Sequence, residues 1–589
     1  ISTYIMKIKL LLFISFAVLY SSCSNDGRPG TAKGDKVYGG MLRVNETEQF
    51  QTLYPGSITD VVSYHVANQV YEGLVKFNPK DLSIKPAIAE KWELDPAATT
   101  YTFYLKKGVK FHNDDCFSGG KGREVKAADV KYSYELLCVN KVGNINFPAT
   151  FKDRIVGANA FFERSKDVPN GEIEGIKVVD DYTLTITLSG PSSSFLYTLA
   201  SPATSVIPKE AVEKYGSNTK VGTGPFVFDG KSNNEQVILK RNNNYHATDS
   251  LGNQLPFLDT VLISFFPTKK EELDNFKNDN LSIVIGLSSE TIKDIVEKDI
   301  TNFQNKPPKY ILDRSAEMAT QYYTFNLSKP PFNDVRVRKA FSYALKRSRI
   351  VEDVLRGEAY GPGVNGISPP SFKGYDITKI KGYDFDEKEA KKLLAEAGYP
   401  EGKDFPPIKI ELNSSGSKSA DVVLEIQKQL MDVLNINVDF EVVSLKQKLE
   451  DEKFGRADMF RASWLADFPS PENFLWILYG ASVPDDIKKS SWPNTPRYKN
   501  AEYDKLFEAG KSSKTTEESY ANFIKAEQLL MDEAPIIVLW YGENYRLVKS
   551  NVRNFYSNPM RHRDYSEVYL KDVTSAVTAQ DNNGAGDKK

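Results

Sequence analysis

Histidine, cysteine, serine and glycine are the residues whose spacing usually reveals a reaction centre, and in this chain they do not converge. Histidine occurs four times, at His65, His112, His246 and His562. No two stand at i, i+4 and there is no HExxH, the pattern that would put two zinc ligands and a base on one helix face. No GxSxG nucleophile elbow is present. GPGVNG, at Gly361–Gly366, matches GxGxxG by letters, but Pro362 sits inside it and ISPP follows. A dinucleotide site needs a helix N-terminus there. GKSS, around Lys511, lacks the upstream glycine of a phosphate loop, and SGGKGR, at Ser118–Arg123, has no strand-to-helix context. Nothing singles out a catalytic pair among 78 acidic residues. The expectation is a protein with no catalytic residues, no metal and no cofactor, and so not an enzyme.

The elements around these residues alternate between strand and helix periods. Thr99–Phe111 alternates apolar and polar residues and breaks at Gly108, as a hairpin would. Tyr182–Leu188, Gln236–Arg241 and Thr260–Phe265 read as strands. Asp334–Ile350 reads as an amphipathic helix with Val337, Phe341, Ala344 and Leu345 on one face and a solvated basic face opposite. Asp386–Gly398 carries a cap at Asp386 and a terminating glycine at Gly398. Lys409–Leu412, Ala420–Leu434 and Asn437–Val443 read as one βαβ unit. The pattern is mixed α/β with more than one sheet.

A chain of 589 residues predicts two to four domains. A net charge of −2 gives no basic excess for nucleic acid. From Met6, taken as the start with residues 1–5 upstream of it, Lys7 and Lys9 precede a short apolar run, Leu10–Leu19. That run is too short to span a bilayer stably and reads as a signal peptide. It ends at Ser21, Ser22 and Cys23, which resembles a lipobox, with Tyr20 standing where such boxes usually have leucine. The alternative is an ordinary cleaved signal. Residues 24–36 read as a flexible tether and residues 576–589 as a disordered tail. Two further cysteines, Cys116 and Cys138, in an exported chain point to a disulfide, with two free thiols as the other reading.

Separated blocks resemble the family 5 bacterial extracellular solute-binding proteins, the oligopeptide- and dipeptide-binding lipoproteins of ABC importers. The blocks include QVYEGLVKF (Gln69–Phe77), AIAEKWELDPAATTYTFYLKKGVKFH (Ala87–His112), EVKAADVKYSYE (Glu124–Glu135) and GTGPFVF (Gly222–Phe228). FNLSKPPFNDVRVRKAFSYALKR (Phe325–Arg347), WLADFPSPENFL (Trp464–Leu475) and AEQLLMDEAPIIVLWY (Ala526–Tyr541) continue the series. Their order follows the family across nearly the whole chain beyond the leader. Asn113–Arg123 is an insertion, so a Cys116–Cys138 bridge would tie it to the next helix.

The resemblance implies an α/β clamp of the periplasmic-binding-protein type (type II, cluster C), with two large α/β lobes, a hinge and an extra lobe. Lobe I would comprise 37–58, 187–311 and 540–575, the extra lobe II 59–186, and lobe III 312–539. It implies a monomer outside the cytoplasmic membrane, lipid-anchored through Cys23, that captures peptide and delivers it to permease subunits. Asp467 would bind the peptide ammonium, Leu465 and Ala466 would offer main-chain groups, and Trp464 would wall a side-chain pocket. Gly56 and Ser57 would supply the opposite strand-pairing edge and Arg461 the counter-charge for the peptide carboxylate. GTGPF reads as a structural turn. A second reading keeps the fold and changes the ligand to a sugar oligomer, nickel chelate, haem or opine, since fold does not fix ligand. A third is a surface lipoprotein hydrolase.

Overall fold

Strict alternation builds the first sheets: along Thr100–Leu105 every second residue is buried. This strand pairs antiparallel with Ala89–Leu94 on one side and Thr183–Thr187 on the other, and Ile176–Asp180 completes a four-stranded antiparallel sheet. The computed structural model describes residues 30–571 apart from 47, 59, 232–235, 288, 306–307 and 414–417. Cys23, the leader and the expected tail from 576 lie outside the described residues.

A second four-stranded sheet runs in the order Phe226–Lys231, Val237–Arg241, Thr260–Ser264, Met41–Asn45; its last pair is parallel. Helix Val61–Val70 packs Val66, Ala67 and Val70 into the same core as Leu42, Val44, Phe226 and Val261. Residues 61–70, grouped with the extra lobe on sequence, thus pack with strands assigned to lobe I. The GTGPF turn closes this helix. Gly224 N–H donates to Val70 O at 2.9 Å, and a Cβ on Gly222 would lie 2.2 Å from that carbonyl, a distance only glycine permits.

The seven-stranded sheet carries the two longest strands, Tyr310–Phe325 and Ile536–Lys549, side by side and antiparallel. Ile283–Ile285 flanks them at one edge; beyond the other lie Met459–Leu465, Ile408–Asn413 and Val438–Val443. The βαβ unit forms as read: Ile408–Asn413 and Val438–Val443 are parallel, with helix Lys418–Leu434 between them. The ladder of the long strands slips between Ala316 and Thr320. Glu317, Met318 and Ala319 bulge there opposite Gly542, re-aiming the strand.

Helix 334–350 is shorter than its periodicity suggests. It spans Val335–Tyr343, capped by Asp334, because Arg347 turns back and donates to the carbonyls of Ser342 and Leu345. Arg338 and Arg347 are buried, not solvated; both spend their guanidinium groups on main-chain carbonyls, Arg338 on Glu533 and Phe332 and Arg347 on Val538. The helix Glu387–Glu396 begins at Asp386, whose carboxylate accepts from Glu389 N–H at 3.0 Å, and Gly398 takes φ +99° after it. The segment 30–36 is no free tether. Thr31–Ala32 pairs with Lys36–Val37, Lys33 N–H donates to Asn253 at 2.8 Å and Lys36 pairs with Asp249 at 2.6 Å.

The expected Cys116–Cys138 bridge does not form; both thiols are free. Arg123 ties the inserted loop to Asp129, in the first turn of helix Ala127–Leu137, while Cys138 caps the other end.

Candidate functional site

The strand Met459–Leu465 lies between the first long strand and Ile408–Asn413. Its pairing ends at Ala319↔Leu465. Ala466 N–H then donates to the carbonyl of the bulged Met318 at 2.8 Å. Beyond that bond the chain leaves the sheet, and Pro469 and Pro471 prevent the strand from continuing. Asp467 stands at this exit.

One buried side chain holds the exit in shape. Asn473 Oδ1 accepts from Trp464 Nε1 at 2.8 Å and from Asp467 N–H at 3.0 Å. Its Nδ2 donates to Asp467 Oδ2 at 3.1 Å. The Asp467 carboxylate therefore has one oxygen tethered and the other available. Asp467 is exposed to solvent, although packed protein lies close to its carboxylate. That desolvation pushes its carboxyl above the ordinary range, against the opposing hydrogen bond from Asn473. The carboxylate is thus open to a partner from solvent while packed protein lies beside it. Such a group gains most from meeting a cation.

Aromatic side chains from several elements stand near this exit. Trp464 is half-buried and lies 6.3 Å from Trp476 and 6.5 Å from Trp492, centroid to centroid. Trp492 is exposed, with Lys453 over its ring at 5.2 Å. From the other side helix Val61–Val70 brings Tyr64, whose phenol pKa is pushed up by burial and then by the negative charge of Asp467. Tyr64 Oη meets His562 Nδ1 at 3.3 Å. Below, Tyr197 stacks on Phe468 at 6.3 Å and Arg154 pairs with Glu472 at 3.3 Å. Residues far apart in the chain thus close on Asp467 from both faces.

Of the residues expected here, Trp464, Leu465, Ala466 and Asp467 stand together. Arg461 does not join them. Side chains alternate along a strand: Ala462 and Trp464 face one core and Met459 the other, so Arg461 projects opposite to Trp464. It donates to Gln321 at 2.8 Å, and burial lowers its pKa. Gly56 and Ser57 form no open strand edge. They lie in a single 3-10 turn, Pro55–Ser57. The Gly56 carbonyl accepts from Ile145 N–H at 2.9 Å and Asn146 N–H at 3.3 Å, and Ser57 Oγ bonds to Gly143 O. Asn473, Tyr64, Trp492 and His562 were missed on sequence. Asn473 alone left a trace, an Asx-type residue six positions after Asp467 and next to a helix start.

All four histidine rings are engaged: His65 with Glu46, His112 with Gly224 O, His246 with Glu72 and His562 with Tyr64. Among the described residues no group of three or more His, Cys, Asp or Glu could hold a metal ion, and no helix is long and apolar enough to cross a membrane.

Comparison with known proteins places these features in context. The profile described as bacterial extracellular solute-binding proteins, family 5, middle, matches residues 83–485. The periplasmic oligopeptide-binding protein OppA of Escherichia coli K12 is 28% identical over 521 residues, covering 86% of this chain and 88% of that protein. Heme-binding protein A of Haemophilus influenzae is 27% identical over 518 residues, covering 86% and 88%. Among solved structures, the periplasmic binding protein DppA from Helicobacter pylori in complex with the peptide STSA superposes with a TM-score of 0.70. It is 26% identical, over 91% of this chain and 99% of that one.

Proposed function

Because the chain belongs to family 5 of the bacterial extracellular solute-binding proteins, we propose that it captures peptides outside the cytoplasmic membrane and delivers them to the permease of an ABC importer. In this reading the protein is a monomer, held at the membrane by lipid on Cys23, and it transforms no substrate. Lobes I and III close over the ligand about the two long strands, with the extra lobe built onto lobe I. Only the difference in affinity between closed and open states drives that closure.

One observation carries the peptide reading: the Asp467 carboxylate, tethered through a single oxygen by Asn473 and exposed to solvent. A peptide of any sequence presents an α-ammonium, and a desolvated carboxylate forms a charge-assisted bond with it. Trp464, held by the same Asn473, supports a side-chain pocket beside it. Similarity alone does not choose the ligand, since the peptide-binding and haem-binding relatives match almost equally.

Asp467→Asn tests the reading. Calorimetry should show peptide affinity falling at least tenfold, about 1.4 kcal/mol, with N-acetylated peptides bound weakly by both forms. Unchanged affinity for free-amine peptides would remove Asp467 from the site. Native mass spectrometry of gently purified protein should show a heterogeneous peptide load; a single chelate or glycan would overturn the ligand class.

A further inference from the structure

The turn that carries Asp467 follows a strand of the seven-stranded sheet, and it is gripped at both ends by the side of the molecule that carries the first four-stranded sheet. Phe468, next to Asp467, lies face to face with Tyr197, at 6.3 Å and 17° between planes. Glu472, next to Asn473, accepts from Arg154 Nη2 at 3.3 Å, across 318 residues of chain. The two grips form one unit, because Arg154 Nη1 donates to Thr198 Oγ1 at 2.9 Å and Thr198 follows Tyr197. Ser193 and Ser519 add a hydroxyl contact at 3.3 Å between the same two sides.

Each side is held by its own contacts. Tyr197 stacks on Phe77 at 6.1 Å. The backbone around Arg154 is fixed beside the first four-stranded sheet: the Arg154 carbonyl accepts from Ser189 N–H at 2.8 Å, and Val156 N–H donates to Thr187 O at 3.0 Å. Across from them the turn is stiff. Pro469 and Pro471 restrict its backbone. Ser470 N–H donates to Phe468 O at 2.8 Å and Asn473 N–H to Ser470 O at 3.1 Å, while Ser470 Oγ accepts from Glu472 N–H at 3.2 Å. A displacement of Phe468 or Glu472 therefore carries Asp467 and Asn473 with it.

The chemistry of the grip suits a contact that is made and broken. Glu472 is 2% exposed. Among the described residues its one ion pair is with Arg154, and its Oε2 is buried without a hydrogen-bond partner. A buried ion pair stabilises a fold no better than apolar side chains of similar volume, so stability alone does not account for this one. Once the two sides part, both charges are rehydrated; an apolar patch in their place would hold the sides together.

We propose that Arg154 is a positioning residue for capture of the ligand's ammonium. It touches no ligand; by pairing with Glu472 as the two sides close, it sets the turn that presents Asp467. This deepens the peptide reading and rests on it.

The test loads the full chain with a random-sequence library of three- to five-residue peptides, mixed equally with its N-acetylated counterpart, and native mass spectrometry reads what is retained. Wild type should retain free amines over acetylated peptides by about tenfold or more, and Arg154→Gln by no more than about threefold, as a charge-assisted bond loses its alignment. A grip made only on closure leaves the open, unliganded protein unaltered, so without peptide Arg154→Gln should melt with wild type. Arg154→Gln strands the Glu472 charge, so Arg154→Gln/Glu472→Gln is run beside it and should lose the preference equally. An unchanged preference in a folded Arg154→Gln would overturn the proposal and leave the Asp467 reading standing. So would recovery of the preference in the double variant, or an unliganded melting temperature several degrees lower. A wild type that binds no peptide, or shows no preference for free amines, would overturn the reading beneath it as well.

Discussion

Asn473 holds Asp467 at two points, accepting from its main-chain N–H at 3.0 Å and donating to its Oδ2 at 3.1 Å. The same carbonyl oxygen also takes Trp464 Nε1. One buried amide therefore orients the carboxylate and the indole together. Asn473→Ala leaves the indole N–H and the Asp467 N–H without their acceptor, a loss on the order of 1–3 kcal/mol. Thermal unfolding should shift down, and peptide affinity should fall three- to tenfold although Asn473 touches no ligand. Unchanged affinity with a lowered melting temperature would reduce Asn473 to a fold residue.

Burial raises the carboxyl pKa of Asp467, and the sign of the consequence is fixed. In the unliganded protein the protonated form is favoured by folding, so ionisation at neutral pH costs stability. Ligand binding needs the ionised form, so affinity should fall as pH drops through the raised pKa, by up to tenfold per pH unit below it. Asp467→Asn should therefore bind poorly yet melt no lower than wild type at pH 7. An affinity independent of pH between 4 and 7 would contradict the pairing with an ammonium.

Glu411 lies on the strand Ile408–Asn413, next to the edge strand and directly across from Glu441, and is 4% exposed. Burial, then the charges of Asp451 and Glu441, push its carboxyl up to about 7, with Lys409 opposing. Asp451 is itself neutralised by Arg456 at 2.7 Å, and Lys409 pairs with Glu441. A folded pKa near 7 against about 4.5 unfolded means the folded state keeps a proton that the unfolded chain has released. Stability is lost as pH rises from about 4.5 to 7 and stays low above it, by roughly 1–3 kcal/mol. Glu411→Gln should match wild type at pH 5 and melt higher at pH 8; equal melting at both would show that Glu411 ionises freely.

Free thiols at Cys116 and Cys138 make reductant irrelevant to folding. Burial, and then the hydrogen bond to Asp114, push Cys116 up to about 12, and burial raises Cys138 further; both react slowly as thiols. In a chain starting at residue 24, thiol titration after denaturation should count both cysteines, and the melting temperature should not move with dithiothreitol. A drop of several degrees on reduction would restore the bridge.

Much of the fold was legible because its signals are local. The alternation of Thr100–Leu105, the cap at Asp386 and the strand–helix–strand run of 408–443 each depend on residues a few positions apart, and each formed. The basic face expected along 334–350 misled, because nothing in its period says that main-chain carbonyls would draw Arg338 and Arg347 inward.

The sequence by itself determined the class of protein. It did so through ordered blocks from 69 to 541, and it marked the WLAD segment as the place to look. Which charges stand beside Asp467 was decided only by tertiary structure. Strand alternation turns Arg461 away from Trp464. Helix docking brings Tyr64 to His562, 498 residues distant, and the bulged Met318 accepts from Ala466 N–H and donates to Pro559 O. Register and docking are global results of burying apolar faces, so no spacing within the chain encodes them.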